Sequence, residues 1–216
     1  MKTAFFALVA TLAMSMTSHA ELLKLSAGDK SNNGINVSKT GAATIDGKTY
    51  DLTTVGAGLR SKKVLLINVK VYVAQLLVSS PTRFVRTDTG ALKSLDDSQT
   101  VAIQMAFLRT VDASTVQVSF RDALDTNKVN SASPSIKKFL DAVAAGGDAL
   151  ENKTLTIVIN KNSDGTETLV YEDSTGKQTK IVGNKGLTQS IFSIWLGTPD
   201  DDGVANLKAA LLQVPN

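Results

Sequence analysis

The sequence predicts an α+β fold, an antiparallel β-sheet covered on one face by helices. Three observations predict it. Apolar residues alternate at every second position over several short segments. Asp46-Gly47 and Asp164-Gly165, dipeptides of tight hairpins, stand between such segments. Runs with helical spacing are inserted between the strands and again after the last of them. One domain accounts for all of these elements.

The elements follow in order. Lys2, an apolar stretch over 4–16 and the small residues Ser18 and Ala20 have the layout of a secretory signal peptide. Cleavage is expected after Ala20, and with it a periplasmic or secreted location. The stretch is short for a membrane span, and no later apolar run approaches that length. Residues 21–41 are expected to form an entry segment, polar and turn-rich from 27 onward, before a compact domain over 42–216.

A β-hairpin is expected around Asp46-Gly47. Residues 63–78 read as one strand, with Leu65, Ile67, Val69, Val71 and Val73 on its core face. A short helix near 89–95 and a strand over 100–109 follow, the strand carrying Val101, Ile103, Met105 and Phe107 on one side. Asp112 is a candidate cap for a helix that aligns Val116, Phe120, Ala123 and Leu124. Ser133-Pro134 opens a second helix, which stops at Gly146-Gly147. Strands over 154–160, 166–172 and 178–182 come next. Two helices close the chain, one aligning Leu187, Ile191, Ile194 and Trp195, the other Val204, Leu207 and Leu211.

The composition excludes several chemistries. His19 is the only histidine and falls in the expected signal peptide, and there is no cysteine. A chain cleaved after Ala20 has neither imidazole nor thiol. That rules out Ser-His-Asp or Cys-His catalysis, the usual structural zinc sites, His or Cys haem ligation and disulfides. Losing Lys2 takes the basic count from 23 to 22, against 20 acidic side chains, and the basic residues are scattered, so no nucleic-acid partner is expected. Gly56-Ala57-Gly58 lacks the rest of a dinucleotide fingerprint and reads as a strand bend or a close backbone approach. Asp200, Asp201 and Asp202 suit the start of a helix and lack the spacing of a calcium loop. Neither a metal nor a cofactor is expected.

A more specific signal lies in Val55 to Arg60, a glycine-rich strand end closing on arginine, followed by the aliphatic run from Val64 that finishes in Val71-Tyr72. Phe107 to Asp112 before a helix, and Gly186 to Gly197 followed by a proline and a final helix, continue it. In this order, over roughly 42–213, these segments resemble the chalcone isomerase-like family. The resemblance implies an open-faced sandwich. That family includes plant enzymes that cyclise chalcones, relatives that bind fatty acids without catalysis, and bacterial members.

Arg60 matches the arginine shared by the enzymes and the fatty-acid binders, and Tyr72 the tyrosine that helps it hold a fatty-acid carboxylate. The hydroxyl positions of the plant enzymes fall instead on Ile67, near Ala113 or Ser114, and near Ile194. The resemblance therefore implies a non-catalytic binder of a fatty acid or similar amphipathic carboxylate, with Arg60 and Tyr72 as anchors. The alternative is an isomerase, an intramolecular lyase in which Arg60 polarises a carbonyl or enolate and Tyr72 assists proton transfer. Lys70, Gln104 and Arg109 are secondary candidates, Lys70 because strand alternation puts it on the Tyr72 side. On one straight strand Arg60 and Tyr72 would stand about 40 Å apart. Their convergence requires a reversal, expected at Ser61-Lys62-Lys63.

Overall fold

The computed structural model describes residues 21–213; the expected signal peptide lies outside them. The strands are β1 (Leu23–Leu25), β2 (Lys30–Asn32), β3 (Ile35–Val37), β4 (Thr40–Ile45), β5 (Lys48–Val64), β6 (Ile67–Val78), β7 (Thr100–Phe107), β8 (Thr154–Lys161), β9 (Glu167–Glu172) and β10 (Gln178–Gly183). The helices are α1 (Ala91–Ser94), α2 (Ala113–Thr126), α3 (Pro134–Ala145), α4 (Leu187–Leu196) and α5 (Asp202–Leu211).

Eight strands form one antiparallel sheet in the order β1-β4-β5-β6-β7-β8-β9-β10, and β2 pairs with β3 apart from it. From β4 onward each strand lies beside the next in sequence, as hairpin chemistry predicts. Asp46 and Gly47 both have positive φ, the backbone of a type I′ turn. The α+β class expected from the alternation and the inserted helices is the class observed.

The helices cover one face. Val101, Ile103, Met105 and Phe107 of β7 point into this core, with Phe120, Phe139, Ile191 and Trp195 from the helices. Phe120 lies edge-on to Trp195 at 5.4 Å and stacks on Phe139 at 5.9 Å, so an aromatic cluster ties α2, α3 and α4 together. Asp112 stands at the cap position of α2, but the Asp148 carboxylate makes the bond, accepting from the Ala113 N–H at 3.0 Å.

The opposite face has a smaller core of its own, in which Leu22, Leu23, Ala43, Ile45 and Leu52 pack on Leu77, Ala102, Val158 and Val170. The sheet curls to make it. The Leu22 N–H donates to Glu172 of β9 at 2.9 Å, and Lys180 of β10 pairs with Asp46 of the β4–β5 turn. The entry segment therefore pairs into the sheet through β1 and helps close its back.

The 63–78 segment differs from its sequence reading. It contains a reversal at Leu65-Leu66, with Val64 facing Ile67 across the hairpin. The apolar alternation runs through this turn, which is why it reads as one strand. Leu65 has φ 56°, a conformation usually left to Gly or Asn. Val64, Leu65, Leu66 and Ile67 are exposed rather than core.

Candidate functional site

The reversal makes Arg60 and Tyr72 direct cross-strand partners. A bulge follows at once, because Ser61 pairs with Lys70 and Val71 is the extra residue. The bulge breaks the strict alternation, so that Val69, Val71 and Tyr72 all line one cavity while Lys70 does not.

That cavity, about 180 Å³, lies between the β5–β6 hairpin, the end of β7 and helices α2, α4 and α5. Its walls are mainly apolar, with Phe107, Val116, Phe120, Ile194 and Trp195 among them. Its polar lining comes from Arg60, Lys62, Arg109, Thr115, Ser119 and Asp200. An apolar cavity with few polar anchors is the usual form of a small-molecule site.

Arg60 is buried, at 7% exposure, which an arginine accepts only with partners. Its guanidinium donates to the Ser61 carbonyl and, at 2.6 Å, to the Asp201 carboxylate. Three of its five N–H groups keep no partner among the described residues. Asp201 also caps α5, accepting from the Val204 N–H at 2.9 Å. Burial raises the Asp201 carboxyl, but the Val204 N–H and Arg60 outweigh it and hold the group below its ordinary value. Asp200 moves the other way. Burial and the neighbouring Asp201 charge raise it, against the pull of Arg60 and Lys62.

The first turn of α5 lies directly on this arginine. A Cβ on Gly203 would collide with the Ser61 carbonyl and the Arg60 guanidinium, so the close approach depends on glycine. Further along, a Cβ on Gly56 would meet the Leu211 carbonyl and one on Gly58 the Ala210 side chain. The Gly56-Ala57-Gly58 segment is the close backbone approach its composition suggests.

Tyr72 is buried against Phe107, ring centroids 5.3 Å apart. Its hydroxyl oxygen accepts a 3.0 Å hydrogen bond from the indole N–H of Trp195. The indole has only a donor to give, so the phenol proton stays available for an acceptor. Burial raises the Tyr72 pKa to about 12, against the opposing effects of the Trp195 bond and the Arg60 charge. The phenol is a neutral donor at physiological pH. Helix α4, which carries Trp195, is held at its start by the buried Glu167 of β9. That carboxylate accepts from the N–H groups of Gly186 and Thr188 and from the Thr188 hydroxyl.

The secondary candidates separate. Arg109 lines the cavity from the segment just after β7. Lys70 is exposed and points away from it, because the Val71 bulge shifts the strand phase. Gln104 stands on the opposite face of β7, donating to Thr156 at 3.4 Å beside its cross-strand partner Gln75. The alternation that sends Ile103 and Met105 toward the helices sends Gln104 to the back. Sequence reasoning missed Trp195, Asp201 and Gly203 as site residues, and also Thr115 and Ser119, whose side chains line the cavity from α2. No metal-ligating cluster occurs among the described residues.

A curled antiparallel sheet with helices on one face, and an apolar cavity between sheet and helices with an arginine and a tyrosine on its wall, define an open-faced sandwich of the ligand-pocket kind. The chain belongs to the chalcone isomerase-like family, whose model matches residues 30–213. Among solved structures, a fatty-acid binding protein from Arabidopsis thaliana has a similar fold. Its TM-score is 0.52 and its identity 13%, covering 79% of this chain and 95% of that one. No curated protein matches the chain.

Proposed function

We propose that the cavity binds a fatty acid or a similar amphipathic carboxylate, without catalysis. The observation that carries this reading is the placement of the Arg60 guanidinium and the Tyr72 hydroxyl on paired strands, on the wall of an apolar cavity. The carboxylate accepts from unused guanidinium N–H groups and from the Tyr72 proton, all charge-assisted bonds. The alkyl chain lies against Val71, Phe107, Val116, Phe120 and Ile194. Each methylene it buries contributes about 0.8 kcal/mol.

Burial keeps the Tyr72 phenol neutral, so it meets a carboxylate as a hydrogen-bond donor. The fatty-acid binding function of the Arabidopsis neighbour is in keeping with this reading. We further propose that binding takes place in the periplasm or outside the cell, after removal of residues 1–20. A chain recovered from the periplasm should then begin at Glu21.

Lipid extraction and mass spectrometry on wild type, Arg60→Lys and Arg60→Ala test the site. Copurified fatty acid is expected in the wild type, reduced in the lysine variant and lost in the alanine variant. Empty wild-type protein that also fails to bind fatty acid on titration overturns the proposal. Arg60→Lys guards against a folding artefact, because it keeps a cation beside Asp201.

A further inference from the structure

The hairpin that carries Arg60 and Tyr72 continues past the sheet. β7 begins to pair with β6 only at Tyr72, and β4 stops pairing with β5 at Thr53. Residues 61–70 therefore form a two-stranded arm with no sheet neighbour, and four residues of it span about 13 Å. Its tip is Val64, Leu65, Leu66 and Ile67, with exposures of 51%, 90%, 92% and 69%. Four large aliphatic side chains together on a projecting turn are not the scattered apolar exposure of an ordinary surface.

The charge carried by the arm itself has one sign. Lys62 and Lys63 stand on one strand and Lys70 on the other, all exposed. No acidic residue occurs between Asp51 and Asp88 in the sequence. Asp200 reaches Lys62 but belongs to the cavity end of the arm. Lys63 and Lys70 stand two to four residues behind the leucines, a distance of roughly 7–13 Å along a strand. That matches the depth of about 5–10 Å to which an interfacial segment buries its apolar side chains, with basic groups left among the headgroups.

We propose that this arm docks the protein on an anionic lipid bilayer, Val64 to Ile67 entering the headgroup boundary while Lys63 and Lys70 meet lipid phosphates. A small convex tip suits a bilayer better than a protein partner, since a stable protein interface buries about 800 Å² on each side. The docking rests on the arm alone; its purpose rests on the fatty-acid reading. Val64 and Val69 line the cavity, so docking sets the cavity beside the lipid phase.

Cosedimentation with vesicles of equimolar phosphatidylcholine and phosphatidylglycerol, beside vesicles of phosphatidylcholine alone, tests the proposal. The wild type is expected to bind the anionic vesicles and to release with salt. Leu65→Gly with Leu66→Asn, which puts glycine at the left-handed position of the turn, is expected to weaken binding by at least about tenfold while the protein stays folded. Lys63→Gln with Lys70→Gln is expected to abolish the preference for anionic vesicles. The chain has no cysteine, so Leu66→Cys with an environment-sensitive fluorophore reports entry of the tip directly. A blue shift is expected with anionic vesicles and none with soluble fatty acid.

Wild type that ignores anionic vesicles, or a tip variant that binds as well as wild type, overturns the proposal. So does a wild-type dimer in sedimentation that the tip variant dissolves, which assigns the patch to a second copy. Fatty-acid titration of the tip variant separates the two readings, because the cavity anchors are intact in it.

Discussion

Arg60 and Tyr72 face each other across the β5–β6 hairpin, and each is held by a residue from the far end of the chain, Arg60 by Asp201 and Tyr72 by Trp195. The hairpin brings the two side chains together, and the two closing helices set their hydrogen bonding. In the proposed function, the guanidinium N–H groups without a partner among the described residues and the Tyr72 phenol proton are the donors that meet the carboxylate.

Gly203→Ala tests how closely α5 must approach. The added methyl meets the Ser61 backbone carbonyl and the Arg60 guanidinium, so the helix start must draw back from β5 and the arginine must shift with it. A loss of about 1–3 kcal/mol is expected in urea unfolding, as for other overpacked sites. Binding of a carboxylate ligand should weaken along with it. Unchanged stability and affinity would show that the start of α5 can move off β5 without disturbing the site.

Trp195→Phe removes the N–H that Tyr72 accepts while keeping an aromatic ring in the cluster. The expected cost is about 1–3 kcal/mol, including the smaller ring's lost packing. Tyr72→Phe leaves the buried indole N–H unsatisfied and should cost about as much as any orphaned donor, 1–3 kcal/mol. The double variant should cost less than the sum of the two, because neither orphan remains. Simple additivity in thermal or urea unfolding would mean that the hydrogen bond contributes nothing.

The two aspartates at the start of α5 should respond to pH in opposite directions. Asp201 is lowered by its partners, so its stabilising effect is full above the ordinary aspartate value of 3.8 and is lost as pH falls through the folded-state value. Asp201→Asn keeps the helix cap but loses the ion pair, and should be less stable than wild type at neutral pH, with the gap closing in acid. Asp200 is raised, so its ionisation opposes folding at neutral pH and that penalty disappears as pH falls. Asp200→Asn should raise Tm at neutral pH and leave it unchanged in acid. It should also tighten binding of an anionic ligand about two- to fivefold, less at high salt.

Leu65→Gly with Leu66→Asn should stabilise the fold even as it removes the apolar tip. Leucine in the left-handed region costs about 1–2 kcal/mol relative to residues that visit it readily. A rise of roughly 0.5–1 kcal/mol in unfolding free energy is expected, read from thermal or urea unfolding. A fall in stability would show that the leucines pack against the protein.

Much of the fold was legible because its cues are local. Asp46-Gly47 makes a turn by backbone chemistry alone, and the alternation through Ile103, Met105 and Phe107 assigns a face without reference to any partner. The same locality explains the misplacements. Leu65-Leu66 turns without turn residues, in the middle of an apolar alternation, so the pattern carried one strand across a reversal. The Val71 bulge then cancelled the inference from Tyr72 to Lys70, because alternation holds only while the pairing is regular.

The sequence by itself determined the antiparallel sheet, the order of its helices, the missing imidazole and thiol chemistry after Ala20, and the candidacy of Arg60 and Tyr72. The first three depend on residue type and on spacing within one element, whereas the candidacy of Arg60 and Tyr72 came from the resemblance to the chalcone isomerase-like family. Only the tertiary structure decided which groups hold that pair. Asp201 lies 141 residues from Arg60 and Trp195 lies 123 residues from Tyr72. No periodicity spans such separations; the packing of α4 and α5 against β5 and β6 brings those groups within hydrogen-bonding distance.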